Sequence, residues 1–157
     1  MNIKNITPCL WFDNQAEEAA KFYTSVFENS RIDSIQRYGN EGFDIHGQQE
    51  GSVMTVSFYL NGQPFTALNG GPIFRFSEAI SFQVFCESQE EVDYYWNRLS
   101  EDGEEGQCGW LKDKFGLSWQ IVPSILPELI KDPLKAGRVT AAFLKMKKFD
   151  IKNLLKA

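Results

Sequence analysis

One motif occurs twice in this chain. Asn14-Gln15-Ala16-Glu17-Glu18-Ala19-Ala20-Lys21-Phe22-Tyr23 follows the apolar run Ile6 to Phe12, and Ser88-Gln89-Glu90-Glu91-Val92-Asp93-Tyr94-Tyr95-Trp96 follows the apolar run Ile80 to Phe85. Each copy reads as a strand, a polar break and a helix that opens on acidic residues and then carries an aromatic pair. A duplicated unit of this length restricts the fold to architectures built from two like halves, and it lets one half test the chemistry of the other.

The intervening segments extend the pattern. Ile3 to Phe12 reads as the first strand, and Asp13 or Asn14 as the N-cap of the helix that carries Ala16, Ala19, Ala20, Tyr23, Val26 and Phe27 on one face. Ser30 to Tyr38 reads as a second strand and the glycine-rich stretch Gly39 to Gly51 as a loop. Ser52 to Leu60 alternates as a third strand, and Asn61-Gly62 predicts a tight hairpin into a fourth strand, Gln63 to Leu68. The second copy has a strand at Ala79 to Cys86 and a helix at Gln89 to Ser100. Glu104 to Asp113, broken by Gly103, Gly106 and Gly109, holds one strand or two. Asp113-Lys114-Phe115-Gly116 reads as a turn into a last strand, Leu117 to Val122. After Pro123 a helical tail is expected, with Leu134 to Met146 its longest helix. The expectation is an α+β protein: a single domain over 1–157, with repeat one over 1–70, a linker over 71–77, a truncated second βαβββ repeat over 78–123 and a tail over 124–157.

Composition excludes several function classes. The hydrophobic content of 43% supplies a core, and 14% aromatics, with 13 Phe and 4 Trp, points to an aromatic core or a lined pocket. A net charge of -5 lacks the basic footprint of a nucleic-acid binder and offers nothing to an anionic membrane. The N-terminus lacks a signal-peptide pattern, and no apolar run is long enough to span a bilayer. Cys9, Cys86 and Cys108 are far apart and form no CxxC, which fits reduced thiols in a cytoplasmic protein.

The two-unit plan is similar to that of the vicinal oxygen chelate superfamily, which includes glyoxalase I, fosfomycin-resistance proteins, bleomycin-binding proteins and extradiol dioxygenases. Within it the chain resembles the PhnB-like family, whose domain is often described as a 3-demethylubiquinone 3-methyltransferase. The stretches that carry the resemblance include Ile6-Thr7-Pro8-Cys9-Leu10-Trp11-Phe12, Phe65-Thr66-Ala67-Leu68-Asn69-Gly70-Gly71-Pro72, Ser81-Phe82-Gln83-Val84, Asp93-Tyr94-Tyr95-Trp96, Cys108-Gly109-Trp110-Leu111-Lys112-Asp113, Phe115-Gly116-Leu117-Ser118-Trp119-Gln120-Ile121-Val122-Pro123 and Met146-Lys147-Lys148. The resemblance implies the fold, a homodimer and a concave small-molecule pocket, and no particular reaction.

In the superfamily's metal enzymes, side chains from the first and last strands of each repeat hold a divalent cation that chelates two substrate oxygens. Overlaying the repeats here places Pro8, Thr66, Ser81 and Gln120 at those positions. A shift of two residues along the strands brings in Ile6, Pro64, Leu68, Gln83, Ser118 and Val122. Carboxylate, imidazole and thiolate are missing from both sets, so a metal-dependent lyase or dioxygenase is not expected. The sole histidine, His46, reads as a surface residue of the polar loop. The methyltransferase description also lacks support in the residues: Gly70-Gly71 runs into Pro72 and opens no helix, and there is no GxGxxG. Neither metal nor cofactor is expected.

Two sets of side chains remain. Cys108, in a glycine-flanked turn with Lys112 nearby, is a candidate thiol nucleophile; the alternative is a small apolar filler at a tight turn. Trp11, Phe65, Trp110 and Trp119, with Asn69, Ser81, Gln83 and Gln120, are candidate ligand-binding residues of an aromatic-lined pocket. Three readings follow: a metal-free small-molecule-binding protein, an enzyme without a metal that uses Cys108 and Lys112, or a structural or regulatory dimer with a vestigial pocket.

Overall fold

The structure, a computed structural model, describes residues 6–157. It comprises two compact units, Met1–Arg75 and Phe76–Ala157.

In the first unit the order is β1 (Cys9–Phe12), α1 (Ala16–Val26), β2 (Arg31–Arg37), α2 (Phe43–His46), β3 (Val53–Leu60) and β4 (Gln63–Asn69). The sheet runs β1-β4-β3-β2, with β1 parallel to β4 and the other neighbours antiparallel. Helix α1 buries Ala16, Ala19, Ala20, Tyr23 and Val26. Tyr23 stacks on Phe58 at 6.3 Å and Phe58 on Phe65 at 5.4 Å, so this face of the sheet, with Leu10, Phe12, Val56 and Ala67, is the core. The small alanines and the aromatic stack together pack this helix on the sheet. Asn61 and Gly62 adopt φ of 46° and 79°, the left-handed pair that a two-residue hairpin requires.

Three expectations are revised here. Ile6 to Pro8 lie outside β1, and residues 3–5 of the expected strand fall outside the described residues. The polar loop contains α2, a single helical turn between two left-handed glycines, Gly42 and Gly47. Neither Asp13 nor Asn14 caps α1: the cap position is Gln15, whose side chain makes no cap bond. The Ala16 amide is instead satisfied from β4, by Asn69 Oδ1 at 2.8 Å.

The second unit has β5 (Ser81–Cys86), α3 (Gln89–Ser100), β6 (Glu104–Glu105), β7 (Trp110–Lys112) and β8 (Ser118–Pro123). Its strand order, β5-β8-β7-β6, repeats that of the first unit, with β5 parallel to β8. The repeat is therefore not truncated: the short middle section holds two strands, β6 and β7. They can lie this close because Gly103 has no side chain; a Cβ there would sit 2.2 Å from the Lys112 carbonyl oxygen. Ser88 caps α3, its Oγ accepting from the Glu91 amide at 3.2 Å. The helix buries Val92, Trp96 and Leu99 on the side of the sheet that carries Leu111, Trp119 and Ile121.

The tail forms α4 (Leu126–Lys131), α5 (Ala136–Phe143) and α6 (Ile151–Lys156). The expected helix from Leu134 to Met146 is present only as the two turns of α5. Leu126, Leu129, Val139, Phe149 and Leu154 make a small core with Val122 at the end of β8. Gln89 ties the tail to α3, donating to the Phe149 carbonyl at 3.1 Å and accepting from the Ile151 amide at 2.9 Å. Among the described residues no helix is long and apolar enough to cross a membrane.

Candidate functional site

Side chains alternate across a strand, so each sheet has a face under its helix and an open face. In the second sheet the helix side is marked by Glu105, which accepts from Trp96 Nε1 of α3 at 3.1 Å, and by its register partner Leu111, which pairs in turn with Trp119. The open side therefore carries Ser81 and Gln83 from β5, Ser118 and Gln120 from β8, Trp110 and Lys112 from β7, and Glu104 from β6. Register aligns them in two rungs: Ser81, Ser118, Lys112 and Glu104 in one, Gln83, Gln120 and Trp110 in the next.

These polar groups form a network. Gln120 Nε2 donates to Ser81 Oγ at 2.7 Å, and Gln83 Nε2 donates to Gln120 Oε1 at 3.2 Å. Lys112 Nζ lies 2.5 Å from a carboxylate oxygen of Glu78, on the segment leading into β5. That contact holds the Glu78 carboxyl below its ordinary range and raises the Lys112 ammonium above its own. A cavity of about 200 Å³ opens here, lined by Glu78, Glu104, Glu105, Gly106, Trp110, Leu111, Lys112 and Ser118. Ser118 is fully buried, and its hydroxyl is, among the described residues, the buried side-chain polar atom without a hydrogen-bond partner.

Other expected site residues lie elsewhere. Trp119 is on the helix side, 2% exposed, and its indole N–H donates to Asp113 Oδ2 at 2.8 Å. Phe65 is in the core of the first unit. Asn69 is buried there too; besides holding the Ala16 amide it donates to the Val53 carbonyl at 3.0 Å. Trp11 is on the open side of the first sheet, where it donates to the Gly71 carbonyl at 2.9 Å and meets Phe74 edge-on at 5.0 Å. Of the candidate ligand-binding residues, Ser81, Gln83, Trp110 and Gln120 share one face; Ser118, Glu78 and Glu104 join them. Strand alternation alone places Ser118 beside Gln120, whereas nothing in the spacing marks Glu78 as the partner of Lys112.

Cys108 and Lys112 have separate partners. Cys108 sits at φ 56° in the turn before β7, its thiol donating to the Phe143 carbonyl at 3.7 Å and packing against the tail core. Lys112 is engaged by Glu78. Cys86 is buried and its thiol is pushed up to about 12, first by burial and then by Glu91 and Glu87.

The register also corrects the overlay of the repeats. Thr66 pairs with Cys9, not Pro8, and Gln120 pairs with Gln83, while Ser81 pairs with Ser118. At these first- and last-strand positions the open sides thus supply the hydroxyls of Thr66, Ser81 and Ser118, the amides of Gln83 and Gln120 and one thiol, Cys9, whose pKa is raised by burial. Among the described residues no three His, Cys, Asp or Glu side chains cluster so as to hold a metal ion. Neutral hydroxyls and amides on these strands offer a divalent metal neither carboxylate nor imidazole, so the donor set does not fit a tightly held catalytic cation. His46 is in α2, tilted against Tyr38 at 4.6 Å, with both ring nitrogens engaged by backbone. The Gly70-Gly71 turn does not fit a nucleotide-like cofactor, because a Cβ at Gly70 would lie 2.1 Å from the Trp11 ring: the glycine makes room for the indole.

Comparison with known proteins follows the same lines. Residues 4–122 match the family model described as 3-demethylubiquinone-9 3-methyltransferase. The PhnB protein of Bacillus cereus is 38% identical, covering 77% of this chain and 100% of its own, with a TM-score of 0.68. Protein PA1353 of Pseudomonas aeruginosa shares the fold at 17% identity and a TM-score of 0.61, covering 77% of this chain and 98% of its own. So does the fosfomycin resistance protein FosX of Listeria monocytogenes, solved with Mn(II) and sulfate, at 14% identity and a TM-score of 0.55, covering 83% of this chain and 98% of its own. No curated protein matches significantly.

Proposed function

Because the chain belongs to the 3-demethylubiquinone-9 3-methyltransferase family, within the vicinal oxygen chelate superfamily, we propose that it is a small-molecule-binding protein whose site is the open face of the second sheet, without a metal. The observation that carries this reading is the hydrogen-bonded row Ser81–Gln120–Gln83 beside a cavity walled by Trp110. A few convergent polar groups next to an aromatic wall are what orients a small ligand. Methyl transfer is not part of the proposal, since the glycine pair of the first unit is filled by Trp11. A homodimer belongs to the same reading and is supported by the exposed apolar side chains Ile73, Phe74, Ile80 and Phe85.

The test is a thermal-shift screen of small molecules on the full chain, repeated on Gln120→Ala. Ligands that raise the midpoint of the wild type and not of the variant support the site. Ligands that act equally on both place it elsewhere.

A further inference from the structure

The cavity at β6–β7 has a charge and a vacant hydrogen-bond position that together define a ligand class. Its lining carries three carboxylates, Glu78, Glu104 and Glu105, against one ammonium, Lys112; Lys112 is matched by Glu78 at 2.5 Å, and Glu105 is matched by Lys147 at 3.7 Å. The balance is one negative charge. Trp110 contributes an aromatic wall, and an indole face attracts cations. The buried Ser118 hydroxyl is the independent observation: it is 0% exposed, lines the cavity and has no partner among the described residues. An unpaired buried hydroxyl is costly, and a group bound in the cavity can satisfy it. The volume of about 200 Å³ admits roughly seven water-sized groups, which is the size of a single-ring molecule.

We propose that this cavity binds a small arylalkylamine in its protonated form, one ring with the amine on an aliphatic carbon: the ammonium group lies between Glu104, Glu78 and Ser118 Oγ, and the ring lies along Trp110. The ammonium donates to Ser118 Oγ and to the carboxylates, so the orphan hydroxyl gains a partner and the net charge of the cavity is cancelled. The proposal rests on the reading of the open face as a ligand site and adds the class of ligand.

Three probes of one shape separate the possibilities: benzylamine, benzyl alcohol and benzoate, each titrated into the ¹⁵N-labelled full chain with amide shifts followed by NMR. The expected result is that benzylamine binds about tenfold more tightly than benzyl alcohol, the difference a charged hydrogen bond makes, and that benzoate does not bind. The shifts should centre on Trp110, Lys112 and Ser118. In the Glu78→Gln, Glu104→Gln double variant, whose changes are at exposed positions, the preference should reverse towards benzoate because Lys112 is left unmatched. Ser118→Ala should weaken benzylamine several-fold.

Equal or tighter binding of benzyl alcohol or benzoate to the wild type at these residues overturns the amine class and leaves the site reading intact. Binding of benzylamine with shifts elsewhere overturns both. Failure of all three to bind overturns the amine proposal, and the thermal-shift screen then decides the site reading separately.

Discussion

Asn69, the last residue of β4, holds the first amide of α1: its Oδ1 accepts from the Ala16 N–H at 2.8 Å, across 53 positions of sequence. The same side chain donates to the Val53 carbonyl at 3.0 Å. One amide thus joins helix, β3 and β4, and does so in a buried place. Asn69→Ala removes both partners and should destabilise the protein by about 2 kcal/mol, read by urea denaturation. Asn69→Asp keeps the acceptor for Ala16 but buries a charge and turns an acceptor towards the Val53 carbonyl, so it should cost at least as much as Asn69→Ala.

Ser118→Ala should have the opposite effect on the free protein. The hydroxyl is buried with no hydrogen-bond partner, so its removal should raise stability by about 1 kcal/mol. A buried serine kept against that gain is what a binding role requires, and the same variant should lose affinity for the probe amine. A drop in stability on Ser118→Ala would mean that the hydroxyl has a partner in solution.

Asp113 organises the turn between β7 and β8. Its Oδ1 accepts from the amides of Phe115 at 2.9 Å and Leu117 at 3.0 Å, and its Oδ2 from Trp119 Nε1 at 2.8 Å. Asp113→Ala withdraws the acceptor from three donors and should cost roughly 3 kcal/mol. Trp119 fluorescence should shift to the red as its pocket loosens. Asp113→Asn retains one acceptor oxygen and should lose less.

The thiol of Cys86 is pushed up to about 12 from 9.0 by burial and the nearby Glu91 and Glu87. The unfolded thiol ionises near 9.0, so this group's contribution to stability is complete below that pH and is lost as pH rises from there towards 12. At pH 8 the folded thiol is ionised to about one part in ten thousand, and iodoacetamide should label Cys86 only after denaturant is added. Labelling of Cys86 in the native protein at the rate of a peptide thiol would contradict its burial.

Much of this architecture is written in short-range signals. Alternation marks β3 and β4, Asn61-Gly62 sets the hairpin between them, and Ser88 caps α3 in the expected way. The less legible elements depend on distant residues. β6 is two residues long and exists because Gly103 lets it approach β7. The cap of α1 comes from Asn69, which no local pattern could assign. For the site, the polar row was visible because Ser81, Gln83 and Gln120 lie on predicted strands. The Glu78–Lys112 pair was not, because Glu78 precedes its strand. The overlay of repeats by helix motif misplaced the first strand's facing residue, Pro8 for Cys9, since a one-residue slip changes the face of every side chain.

The ligand site proposed for this protein is the open face of the second sheet. A backbone-amide NMR map of the full chain against a library of single-ring compounds tests it most directly. Compounds that bind should shift Ser81, Gln83, Trp110, Lys112, Ser118 and Gln120 together, with the largest changes at Trp110 and Ser118. Shifts gathered instead at the groove between α3 and α6, around Gln89, Lys148 and Ile151, with the open face unmoved, would contradict it.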